Sequence, residues 1–119
     1  FISTSKLNLK RSHEILINQF RADLLFKAQL YAHNFTYVEN PNCKCGAPQT
    51  EKHFFFQCPL IKEKITKLKT DIINITGLSD NHLTQNDLLY LMKHGSDNIS
   101  LDLNSHLQTS IAEFIEMNL

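Results

Sequence analysis

Four side chains in one short run can do chemistry that the rest of the chain cannot: Cys43, Cys45, His53 and Cys58. Three thiolates and one imidazole make a donor set suited to tetrahedral zinc, with sulfur held about 2.3 Å and nitrogen about 2.0–2.1 Å from the ion. The single residue between Cys43 and Cys45 makes a tight chelate, and Gly46 behind it supplies a backbone that can take positive φ and aim N–H groups at the sulfurs. Lys44 and Lys52 would offset the negative charge left by three thiolates on one divalent ion. Four protein ligands close the coordination sphere, so the expected site is structural rather than catalytic. Two other fates compete. A Cys43–Cys45 disulfide would be strained, and a bridge from either to Cys58 leaves one thiol over. The cysteines could also be ordinary small buried residues. An odd cysteine count suits an intracellular thiol or metal site, in the cytoplasm and/or nucleus, better than a disulfide framework.

The elements that must hold these ligands can be read from periodicity. Leu16, Phe20, Leu24, Ala28, Tyr31 and Phe35 recur at helical spacing, which predicts one long helix from near Ser12, or two shorter ones broken near Asp23. Asn40-Pro41-Asn42 ends that pattern. Thr50 is a plausible N-cap for a short helix through Phe56 or Gln57, with Glu51 and His53 in its first turn. Pro59 suits the start of the next helix. That helix carries the clearest stripe in the sequence, Ile61, Ile65, Leu68, Ile72 and Ile75, and Gly77 is its natural stop. Two further helices are expected. One runs from about Thr84 to His94 with Leu88, Leu91 and Met92 inward, and the other covers roughly 103–117 with Leu103, Leu107, Ile111 and Phe114 or Ile115 inward.

Composition agrees with helices. Only three glycines and three prolines stand among 119 residues, and 42% of the chain is hydrophobic, which favours helices over a many-stranded sheet and argues against disorder. The expected fold is mostly α: a small helical domain with a Cys3His zinc knuckle-like loop between the first and third helices. Its parts are an N-terminal helical segment (1–40), a zinc-binding loop and short helix (41–59) and a C-terminal helical segment (60–119). The chain starts at Phe1 rather than methionine, as a piece of a longer protein would. No signal peptide and no apolar run of bilayer-spanning length is present. Net charge is zero but unevenly placed. Residues 1–69 carry eleven of the twelve Lys and Arg against five acids, whereas residues 70–119 carry Lys93 against seven. The basic half could lie on phosphate, or the two halves could neutralise each other.

At the metal motif the chain resembles a known family. Cys43-Lys-Cys-Gly-Ala-Pro-Gln-Thr-Glu-Lys-His-Phe-Phe-Phe-Gln-Cys-Pro59 is similar to the zinc-binding tail of reverse transcriptases from non-LTR (LINE-type, jockey-like) retrotransposons. Thr50, His53, Phe54, Phe55, Cys58 and Pro59 match that pattern place by place. Asn18-Gln-Phe-Arg21 with Leu24 resembles the family's arginine-containing helix ahead of the motif, and Ile111 to Ile115 sits like its closing helix. The chain departs in having Ala22-Asp23 where many relatives carry Thr-Gly or Leu-Gly. It has no Tyr-x-Asp-Asp motif and no spaced carboxylate set for two-metal chemistry. The resemblance implies a C-terminal, non-catalytic piece of an RNA-directed DNA polymerase that grips element RNA or target DNA.

Candidate contacts to nucleic acid are Arg21, Lys44, Lys52 and Lys62. Lys62, Lys64, Lys67 and Lys69 flank both sides of an apolar stripe, as the edges of a half-buried helix do. Phe54, Phe55 and Phe56 could stack on bases, with two of the three expected in the core. His13, His33, His82, His94 and His106 have no ligand-spaced partner and read as surface or capping groups. The expected partners are RNA and/or DNA and the catalytic domain of the parent polymerase, with no membrane and no small-molecule substrate. The rival is a protein-interaction module using Asp71, Asp80, Asp87, Asp97 and Asp102 to dock on the polymerase or on another copy of itself, and a third reading is a decayed fragment without activity.

Overall fold

The computed structural model describes residues 2–78 and 83–119. Among the described residues five α-helices follow one another: α1 (Arg11–Arg21), α2 (Lys27–Ala32), α3 (Lys62–Thr76), α4 (Gln85–His94) and α5 (Leu101–Asn118). No strand occurs among the described residues, and the cysteines and His53 cluster between α2 and α3. The fold is therefore mostly helical, with the Cys3His group in a loop between helices. One apolar cluster draws on every segment, from Ile17 and Phe20 through Phe54 and Phe55 to Leu107, Ile111 and Ile115.

The first periodic stretch forms two helices. Ala22 closes α1 and Asp23 takes left-handed backbone at φ 58°, while the Leu24 N–H reaches back to the Gln19 carbonyl. This six-to-one bond is a Schellman ending, and aspartate tolerates the left-handed position better than most residues. The break resets the helical phase. Leu25 and Phe26 are buried in place of Leu24 and Tyr31, which are exposed, as is Phe35. Within α1 the inward residues are His13, Ile17 and Phe20.

The stripe on α3 holds: Leu68 and Ile72 are buried, and Ile61, Ile65 and Ile75 pack against the core. Gly77 ends the helix at φ 69°. Thr84 and Asp87 form a reciprocal capping box at the start of α4, satisfying two orphan N–H groups.

On α5, Leu103 is exposed and Asn104 is fully buried one position later. Asn104 earns that place by bonding the connection from α4. Its Nδ2 donates to the carbonyls of Ser96, Ile99 and Ser100, and its Oδ1 accepts from the Ser96 N–H. A buried amide so satisfied costs little, and leucine there would orphan a whole turn of backbone. His13 is likewise buried rather than on the surface, and its Nε2 lies 2.8 Å from Glu116 on α5. His82 and Asp80 lie outside the described residues.

Candidate metal centre

Each ligand is placed by a short-range device. Residues 41–49 form a miniature hairpin, in which Cys43 N–H donates to the Ala47 carbonyl (2.7 Å), Gly46 N–H to the Cys43 carbonyl (2.9 Å) and Gln49 N–H to the Pro41 carbonyl (2.8 Å). Gly46 turns it at φ 98°, backbone that a side chain would strain. Cys43 and Cys45 leave this turn one residue apart. The other two ligands ride the segment after Thr50, whose Oγ1 caps the His53 N–H at 3.1 Å. The turn His53–Gln57 is wider than an α-helix, because the Cys58 N–H bonds the His53 carbonyl at 2.8 Å, five residues back. Such a π-turn is uncommon and tends to mark functional sites. Here it brings Cys58 back toward the hairpin.

The four ligand atoms all lie within 4.8 Å of one another. Cys43 Sγ is 3.8 Å from Cys58 Sγ, and Cys45 Sγ is 3.1 Å from His53 Nε2. Cys58 and His53 are buried, while Cys43 and Cys45 are half-buried. This is a group that can hold a metal ion. Burial pushes the Cys43 thiol up, but the Cys45 N–H, the neighbouring thiols of Cys58 and Cys45, and the Lys44 N–H outweigh it and leave the group below its ordinary value. Backbone N–H groups aimed at a sulfur favour its thiolate, the form that binds metal. Cys58 moves the other way, raised first by burial and then by the two nearby sulfurs, against one N–H from Leu60. Like charges crowding one point are the electrostatic problem that a bound cation would relieve.

A polar brace ties this site to the helices. Gln49, 6% exposed, accepts from the Ala28 N–H through its carbonyl and from the Lys27 N–H through Oε1. The Gln29 amide reaches Glu51 at 2.8 Å while its oxygen caps the Leu25 and Phe26 N–H groups. Lys93 at the end of α4 then bridges Glu51 and Asp23, each at 2.7 Å. Burial alone would lower Lys93, yet the Asp23 and Glu51 carboxylates hold it above its usual value. Asp23 is held low, chiefly by the Lys93 ammonium. The sequence places Glu51 in the first turn of a short helix without naming its partners, and a glutamine such as Gln49 in a polar loop carries no signal of burial.

No family model, no curated protein and no solved structure matches the chain. The residues themselves must therefore carry any functional reading.

The sequence-predicted contact residues separate. Lys44 sits at the hairpin tip between two ligands, Lys52 starts the turn that carries His53, and Lys62 opens α3; all three are exposed. Arg21 points inward. Its guanidinium donates to the Lys93 carbonyl, the Ile2 carbonyl (2.7 Å) and Gln108 Oε1 (3.3 Å), which makes it a clamp joining the N-terminal segment, α4 and α5. Ala22-Asp23 follows it, with Asp23 in left-handed backbone at φ 58°. Of the three phenylalanines, Phe54 and Phe55 are 2% and 1% exposed and Phe56 is half-buried against the core. Two are packing residues, as their spacing beside a metal turn requires.

Proposed function

We propose that this chain is a zinc-stapled, non-catalytic nucleic-acid-binding module, of the kind found at the C-terminus of a non-LTR retroelement reverse transcriptase, gripping element RNA or target DNA. The observation that carries it is the convergence of Cys43, Cys45, His53 and Cys58 in one group, with Lys44 and Lys52 exposed within the same loop. Zinc is favoured as the ion by the donor chemistry. Two sulfurs bound tetrahedrally at about 2.3 Å stand about 3.8 Å apart, which matches the Cys43–Cys58 separation of 3.8 Å. In this reading zinc fixes the loop, and the loop presents cations to phosphate. The catalytic domain of the parent polymerase is the partner alongside, and the setting is inside the cell. No helix among the described residues is long and apolar enough to cross a membrane.

A filter-binding titration across salt tests the proposal. Neutralising phosphates with lysines makes log affinity fall linearly with log salt, by about 0.7–0.9 per contact. The Lys44→Gln, Lys52→Gln double variant should lower the slope by about 1.4–1.8 and weaken all sequences alike. No binding at low salt would reject the proposal. A second reading, docking of another protein on the acidic half, is favoured by the exposed Leu101 and Leu103 on either side of exposed Asp102. It expects no oligonucleotide binding, and retention of the isolated parent polymerase domain that Leu101→Ser abolishes.

A further inference from the structure

Residues 31–37 are exposed without interruption, and three of them are aromatic. Tyr31 is 49%, Phe35 37% and Tyr37 71% exposed, whereas Phe20, Phe26, Phe54 and Phe55 are buried in the core. Tyr37 is nevertheless held in place. The Phe35 N–H bonds the Leu30 carbonyl across left-handed Asn34 (φ 59°), and the Val38 N–H bonds the Phe35 carbonyl, both at 3.2 Å. The Phe35 and Tyr37 ring centroids stand 5.6 Å apart at 53°, so each ring props the other. Tyr37 forms one wall of a cleft of about 420 Å³ whose lining includes Leu30, Val38, Lys27, Glu39 and Gln49, a volume within the range of about 300–1,000 Å³ typical of small-ligand sites.

We propose that this cleft takes one unpaired nucleobase, stacked on Tyr37, so that the module grips single-stranded rather than paired nucleic acid. The inference rests on the nucleic-acid reading above and adds the strand form. Three features select a base. Stacking on an aromatic face is open to every base, but only when it is unpaired. Lys27 is an exposed cation in the same lining that could meet the backbone phosphate. Glu39, exposed in the same lining, would disfavour a phosphate seated in the cleft, while a neutral ring meets no such penalty. Gln49 joins the cleft to the metal hairpin, since the same side chain bonds α2 at Lys27.

The test uses the zinc-loaded chain with a mixed-sequence single-stranded oligonucleotide and its fully paired duplex. Tyr37→Ala should cut single-strand affinity about tenfold with an unchanged salt slope, and Tyr37→Phe should retain affinity. Lys27→Gln should instead reduce the slope by about 1. The chain has no tryptophan, so Tyr37→Trp introduces a single reporter whose emission should be quenched by the single strand and not by the duplex. Binding that is indifferent to Tyr37→Ala, or as tight for the duplex, overturns this inference and leaves the nucleic-acid reading standing. Failure to bind either strand form at low salt overturns both.

Discussion

The front of the molecule, from Pro41 to Pro59, and the helical back, built from α1, α4 and α5, reach order by different means. In the hairpin, exposed and half-buried positions alternate from Pro41 to Pro48, so little apolar surface holds it. Backbone bonds inside the turn and the Gln49 brace do so instead, beside a Cys3His group that could hold a metal ion. The back buries Ile17, Phe20, Leu107, Ile111 and Ile115 completely, and sets two fully buried amides, Asn104 and Gln108, where they close loops and clamp Arg21. Phe54 and Phe55 are the meeting point. They leave the His53–Gln57 turn and pack on Phe26, Phe20 and Phe114. A short segment can be stiff without a core when its ligands converge on one point, but it then depends on that point.

The sharpest way to break this contrast is to remove a ligand. Cys58→Ser should abolish metal stoichiometry by emission spectrometry and strip hydrogen-exchange protection from residues 41–58. Helicity should fall as Phe54 and Phe55 lose their anchor, while amides of α5 keep their protection. If α5 loses protection in step with the hairpin, the two regions are one cooperative unit.

A substitution on the other side should do the reverse. Gly95 sits at φ 71°, ψ −162°, a region reserved for glycine, and a Cβ there would clash with Asn104 Oδ1. Asn104 cannot yield without breaking its bonds to Ser96, Ile99 and Ser100. Gly95→Ala should therefore lower stability in a denaturant titration by about 2–3 kcal/mol and leave metal content unchanged. Metal loss in that variant would show that the back governs the front.

The smallest effect belongs to the bridge between them. Asp23 is held below its usual value in the folded chain, so its contribution is present above the unfolded carboxyl value, near 3.9, and is lost as pH falls through the lower folded value. Its side chain is 62% exposed, and solvent screening limits the pair to about 0.5 kcal/mol. Asp23→Asn keeps a residue that tolerates left-handed backbone. It should lower the melting temperature slightly at neutral pH, with the gap to the parent chain closing below about pH 4. A gap that persists in acid would assign the loss to backbone strain instead.

The sequence alone singled out the four residues that cluster between α2 and α3, and the α3 stripe with its Gly77 stop. Each depends on residues a few places apart, where chelation, helical period and capping act through the local chain. Only the tertiary structure decided which polar groups turn inward. Arg21 looked like a phosphate contact until its partners proved to lie 19, 72 and 87 residues away. His13 looked like a surface group until Glu116 arrived from 103 residues along the chain. A buried polar side chain is stable only where another segment supplies its hydrogen bonds, and nothing in the spacing of neighbours announces that supply. The left-handed turn at Asp23 sits at the same boundary. Its local sequence allows a break there, but the ammonium of Lys93 from the far end of α4 holds the carboxylate that follows from it.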